Sequence, residues 1–459
     1  MKKRVEEKLK EKSRHISIVE GSSYSLMEGF GLRYLTPYAL ALGMSNFLIG
    51  VMSSLPGLAG SLSELKGSRI INKYSRKKIV MSGTIFQALA WLPIIAVGYA
   101  YFFLGLPVIY SSVLLILFYT LLVISGAFIS PAWNSWMKDL INKNTTSYFG
   151  KRGRVVGLVA LVSSLVAGFI LNYFQDKELF FGFAIIFVVA FVGRAACIHF
   201  FKEQYEPKMR VSEHSYFSFS DFVKNMAFNN FGKFTIFTAL MSFAVAIASP
   251  FFSVYMLKDL NLGYAIFTLV IAVPSAIALA FLPLWGKFGD KYGNMKAIKL
   301  CGSLIFTVPL LWLFIPLLSQ KLSHVLIYLF AVEIFSGIVW AGFNLSTATF
   351  VFDSVSVEKM PLYVAYTTIL NSFGAFLGAL LGGYLSNSGI VFFGLSSIPL
   401  VFAISSATRF ILFFFISGKL KEVRNVEKLE MSEFKEFLIK TGSRQMLKSG
   451  VRRTGHTLH

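Results

Sequence analysis

Side chains able to move a proton or grip a charged group are scarce inside the apolar stretches of this 459-residue sequence, so each is a candidate site. Glu28 and Arg33 fall in the first stretch, and Glu333 lies near the middle of a late one. A carboxyl group kept from water takes up and releases a proton as its surroundings change, and a guanidinium binds an anionic or polar group. Trp340 and Asn344 are four residues apart, which sets a stacking surface beside a hydrogen-bonding amide on one helix face. Asn371 offers a second amide. Arg194 and Arg409, toward the ends of their stretches, read as long side chains reaching lipid headgroups.

Other chemistries lack their residues. The sequence contains no Gly-x4-Gly-Lys-Ser/Thr string, no HExxH and no GxSxG, and its six His have no metal-ligand spacing. Cys197 and Cys301 both sit within apolar runs, which implies neither a disulfide framework nor a CxxC site. No cofactor and no metal are expected, an enzyme is disfavoured, and any uphill work has to draw on an ion gradient.

The elements that position these residues follow from composition. Apolar side chains make up 55% of the chain and charged ones only 15%, and 48 residues are Phe. A water-soluble body of this size could not hide them, whereas a bilayer does. Runs of about 20 apolar residues, enough to cross roughly 30 Å of hydrocarbon as helix, recur twelve times: 20–43, 45–65, 79–103, 109–136, 154–174, 180–201, 233–256, 262–285, 297–317, 324–351, 362–386 and 390–416. The net charge of +21 does not point to nucleic acid, because the 44 Lys and Arg are not scattered. Only Lys177, Lys258 and Lys321 fall on the side away from the termini, and only Arg33, Arg194 and Arg409 fall within spans. The excess of basic residues on one side predicts both termini in the cytoplasm, against anionic lipid, in a multi-pass protein of the cell membrane.

A repeat organises the spans. Pro56, Lys73 and Tyr74 align with Pro274, Lys291 and Tyr292, and further along Asp139, Gly168 and Arg194 align with Asp353, Gly382 and Arg409. The fold class expected is therefore an all-α membrane protein of twelve transmembrane helices in two pseudo-symmetric six-helix bundles of shared topology. The organisation is a basic N-terminal tail (1–19), a bundle (20–201), a linker with an amphipathic helix on the membrane surface (202–232), a second bundle (233–416) and a mobile or lipid-associated basic tail (417–459). Gly374, Gly378 and Gly382 form a small-residue ridge for close helix approach, and Pro37, Pro56, Pro250 and Pro274 sit at matched places as bends.

With these residues in view, the chain resembles the major facilitator superfamily. The family's widespread signature, Gly-x3-Asp-Arg/Lys-x-Gly-Arg-Arg/Lys after the second span of each half, is matched in "GKFGDKYGNMK" by Gly286, Asp290, Lys291 and Gly293. The first-half loop "SRIINKYSRKK" keeps Lys73, Arg76 and Lys77 but has Ser68, Asn72 and Ser75 at the usual Gly, Asp and Gly. The strings around Asp139, Arg152 and Arg154, and around Asp353 and Lys359, are also similar to a prokaryotic branch whose substrates are mostly unassigned.

The resemblance implies a secondary transporter that moves a small organic solute by alternating access, with spans one, four, seven and ten lining a central cavity. That would put Glu28, Arg33 and Glu333 on the pathway of solute or proton, with Trp340, Asn344 and Asn371 beside it. Glu333 would couple protons, and Arg33 would meet an anionic or polar group. The signature loops, with Asp139, Arg152, Arg154, Asp353 and Lys359, would form ion-pair latches of the cytoplasmic gate. The Pro-containing span five of many drug antiporters and the Pro-Glu-Ser-Pro-Arg string of sugar porters are both missing. A uniporter or exporter of hydrophobic compounds remains open, as does a non-transporting sensor or lipid-handling protein on the same fold. The expected partners are an unspecified small molecule, protons and membrane lipids, with no nucleic acid, and the chain is expected to be a monomer.

Overall fold

The computed structural model describes residues 2–71, 73–141, 145–207, 218–318, 321–355, 359–390 and 397–427. Asn72, linker residues 208–217 and the basic tail from 428 onward lie outside the described residues. Among those described, the chain is almost entirely helical. The first half comprises α1 (Lys2–Phe30), α2 (Leu35–Ala41), α3 (Asn46–Ile70), α4 (Arg76–Leu89), α5 (Trp91–Leu104), α6 (Val108–Leu140), α7 (Thr145–Phe174) and α8 (Leu179–Glu203). After α9 (Phe219–Asn225) in the linker come α10 (Asn230–Val254), α11 (Tyr264–Tyr292), α12 (Asn294–Ile305), α13 (Thr307–Trp312), α14 (Leu322–Ser354), α15 (Met360–Asn387) and α16 (Ser397–Ile416).

Eleven stretches are long and apolar enough to cross a membrane. The twelfth is the pair α1 and α2, whose charged start lowers its hydropathy but whose later turns cross with the others. The protein is thus a twelve-span, two-bundle helical membrane protein. Exposed Phe86, Leu104, Phe169 and Phe415 belong to the outward faces that acyl chains cover.

Proline explains the interruptions. Pro93 and Pro309 each stand in the first turn of a second piece, α5 and α13, where the missing N–H is tolerated. The carbonyls four residues back, on Leu89 and Ile305, end the preceding pieces α4 and α12. The third span of both halves is therefore broken at the same place. Pro37 acts alike in the first span, where a single 3-10 turn over Leu32–Tyr34 separates α1 from α2. Pro250 lies within α10, and that helix widens into a π turn over Tyr255–Asp259.

The glycine ridge packs within the second half. Side chains at Gly374, Gly378 and Gly382 would strike the backbone carbonyls of Ala239, Phe243 and Ile247, so α15 lies directly on α10. The bundles meet on the face away from the termini. There the Asn46 amide donates to the Ser386 carbonyl at 3.1 Å, Gly50 abuts the Ala379 carbonyl, and Tyr34 is 2.8 Å from Thr268.

Two segments expected outside the bundles pack against them. Residues 2–19, expected as a basic tail, form the start of α1, with Ser13 and Ser17 buried and Lys10 paired to Glu6 at 3.0 Å. In the linker, Phe222 of α9 turns toward the second bundle. It is buried against Tyr363 and Tyr366 of α15.

Candidate functional site

Breaking the first span brings Glu28 and Arg33 together. Five residues apart, they would point away from each other on an unbroken helix, but across the 3-10 turn Arg33 reaches Glu28 at 3.6 Å. The pair leaves no uncompensated charge at that point of the pathway. The next residue, Tyr34, fully buried, donates to the Ser164 carbonyl of α7 at 2.5 Å and touches Thr268 of α11. The broken turn thus carries an ion pair and a link between the two halves.

Trp340, Asn344 and Asn371 are brought together in a cavity of about 330 Å³ between α10, α14 and α15, toward the end of the molecule that bears the termini. The Trp340 ring meets Phe343 edge-on at 5.8 Å. The Asn371 amide oxygen accepts from Thr238 at 3.0 Å, which leaves its NH2 to the cavity. The Asn344 amide makes no hydrogen bond among the described residues. No ionisable side chain is among the cavity's described lining residues.

Glu333 lies in a second cavity, of about 380 Å³, inside the second half. Trp340 and Val245 line both spaces, so the indole forms part of the wall between them. The polar neighbour of Glu333 is the Trp312 indole, whose N–H makes no well-formed hydrogen bond. Among the described residues no cation lies within ion-pair distance of Glu333. Arg409 lines this cavity too, and its reading as a headgroup-reaching side chain is wrong. It is 2% exposed and donates to the Ile305 carbonyl at 3.2 Å and to Val245 at 3.3 Å. The Ile305 carbonyl is the one Pro309 leaves unpaired. Arg194 is likewise buried, bonded to Gln87 at 2.6 Å and 3.9 Å from Glu20.

At the termini end each half has its own polar network. Arg76, 1% exposed, binds Asp139 at 2.6 Å, and its backbone N–H donates to Glu206 at 2.8 Å. Glu206 follows the sixth span and caps the start of α4. In the second half Asn294 stands where Arg76 stands in the first, and its amide donates to Asp353 at 2.6 Å. The missing charge arrives from beyond the last span. Arg424 reaches Asp353 at 3.2 Å and the Gly289 carbonyl at 2.7 Å, while Glu422 caps the start of α12 through the Met295 N–H at 2.8 Å. Gly293 has φ +95° and lies against the Glu422 carboxylate, so only glycine fits there. Residues 420–427 are therefore docked, not a loose continuation of the tail.

The other gate candidates are placed less tightly. Arg152 pairs with buried Glu20 at 3.1 Å instead of Asp139. Arg154 bonds only its own helix at Gly150, Lys73 and Lys359 are exposed, and Asp290 makes no ion pair among the described residues. Lys291 meets Glu427 at 3.4 Å, and Gly286 faces Leu345. Sequence reasoning missed Glu20, Tyr34, Glu206, Glu422 and Arg424. Glu206 and Glu422 carried a signal, because they follow the sixth span of each half at nearly the repeat spacing.

A family model of the Major Facilitator Superfamily matches residues 22–229 and again 234–451, so the chain belongs to that superfamily. It is accordingly a membrane transporter of solutes and not an enzyme. No curated relative matches the sequence. Among solved structures the fold is similar to a variant of the nucleoside transporter NupG, with a TM-score of 0.67 and 15% identity over 90% of this chain and all of that one. It is also similar to a bacterial homologue of the iron transporter ferroportin in an inward-facing state, with a TM-score of 0.65 and 9% identity over 88% of this chain and 98% of that one. A bacterial homologue of the lysosomal transporter Spinster, inward-facing and occupied, has a TM-score of 0.65 and 13% identity over 89% and 96%. At these identities the likeness is one of fold.

Proposed function

We propose that the protein is a proton-coupled secondary transporter of a small organic solute, working by alternating access in the cell membrane with both termini in the cytoplasm. The orientation rests on the basic residues gathered on the termini side. Alternating access rests on the hydrogen bonds between halves, Tyr34 with Thr268 and Asn46 with Ser386, which lie toward the opposite end, while the polar networks at the termini end stay within each half. The state is inward-facing on this reading, and the networks are rigid braces of each bundle rather than a latch between bundles.

The observation that carries proton coupling is Glu333: a carboxyl within a membrane-crossing helix, facing a cavity, with no described cation within ion-pair distance, since Arg409 of the same cavity is held by the Ile305 and Val245 carbonyls. Such a group exchanges protons as the cavity changes exposure. The test uses proteoliposomes suspended in a defined mixture of labelled nucleosides, sugars, amino acids and organic acids. An imposed pH gradient is expected to drive accumulation of at least one of them, and Glu333→Gln to abolish the accumulation while exchange of that solute persists. Equal gradient-driven accumulation by the variant defeats the coupling assignment.

A further inference from the structure

From the cavity around Trp340 we infer that the transported solute is uncharged and carries a flat conjugated ring edged with amide-type donors and acceptors, as nucleobases and carboxamide heterocycles do. This rests on the reading of the protein as a transporter and gives its substrate class.

Three features point the same way. First, the free polar groups are neutral. The Asn344 amide, the Asn371 NH2 and the Ser242 hydroxyl line the space, and no ionisable lining side chain is described. A charged solute there would give up hydration without gaining a counter-charge. Arg33 supplies none, because Glu28 already neutralises it.

Second, an aromatic ring and two side-chain amides line the same space, the groups a planar ligand needs. Trp340 and Asn344 share one face of α14, and Asn371 approaches from α15. A side-chain amide presents one acceptor and two donors in a plane, which matches the edge of a ring bearing a carbonyl beside an N–H. An indole face stacks on such a ring whatever its substituents.

Third, the volume fits. About 330 Å³ lies at the small end of the range of ~300–1,000 Å³ typical of ligand sites, enough for one or two fused rings with a short substituent. The ionisable groups Glu333 and Arg409 stand apart, beyond the Trp340 wall in the second cavity. Ring and proton would thus be bound in adjoining spaces, with the solute itself carrying no charge.

The experiment measures binding to the full-length protein in lipid nanodiscs, with matched neutral and anionic probes: nicotinamide and nicotinate, thymine and orotate, cytidine and cytidine 5′-monophosphate. At least one neutral probe is expected to bind and quench tryptophan fluorescence, with its anionic partner at least about tenfold weaker. Asn344→Ala, at a cavity-exposed position that packing does not depend on, is expected to weaken the neutral probe about tenfold through lost hydrogen bonds. Trp340→Phe retains a ring and is expected to keep binding within a few-fold while losing the quench.

The assignment is overturned if anionic probes bind as well as their neutral partners, if no neutral probe binds at millimolar concentration, or if Asn344→Ala leaves affinity unchanged. Binding needs no gradient, so a chain that binds neutral rings without carrying them sinks the transport reading and spares this one. Gradient-driven carriage of an anion does the reverse.

Discussion

At the scale of single residues, the hydroxyl of Tyr34 does a job that no other single atom shown here does: it ties the 3-10 turn of the first span to a carbonyl of α7 and to Thr268 across the division between halves. Tyr34→Phe removes these bonds and nothing else. The state closed on the face away from the termini should lose about 1–1.5 kcal/mol, a shift of roughly five- to tenfold in the conformational equilibrium. Labelling of a cysteine introduced at Asn46, on that face, should speed up accordingly, and an unchanged rate would remove Tyr34 from the gate. The ionisable residues of the spans were legible in the sequence because a membrane makes them conspicuous. Their partners were not. Glu28 and Arg33 meet only because the helix between them breaks, and Arg409 is held by a carbonyl that only the packed structure shows to be free.

At the scale of elements, the first half builds its brace from Arg76 on α4, and the second builds the same brace with an arginine brought back from beyond α16. Arg424→Gln should lower the thermal midpoint in detergent, the free-energy loss being about 1–3 kcal/mol because the partly buried Asp353 loses its counter-charge. Adding Asn294→Arg to that variant should restore much of the loss, since it places a guanidinium where Arg76 stands in the first half. A double variant no more stable than Arg424→Gln alone would show that the two halves do not brace alike. Span lengths and the number of helices were readable because apolar run length is a local property. The extension of α1 back to Lys2 was not, since a charged segment that forms a helix by packing has the composition of a solvated tail. The docking of 420–427 was hidden for the same reason.

At the scale of the whole molecule, two bundles contact each other through small residues at one end, where Gly50 of α3 abuts the Ala379 carbonyl of α15. Gly50→Leu wedges that seam. It should bias the protein away from the described state, seen as a longer distance between spin labels on the loops after the first and eleventh spans, with the helical content intact. An unaltered distance would mean that the seam is not where the bundles part. The two-bundle architecture was readable because the repeat keeps its spacing through six spans, whereas the conformational state was not, being set by which end of a shared interface is closed. The proline break in the third span carries a consequence for the repeat. Pro93 and Pro309 interrupt both copies at one position, while the arginine that completes each brace comes from different parts of the chain. The kink is therefore common to both copies, whereas the source of the brace arginine is where the two copies have parted.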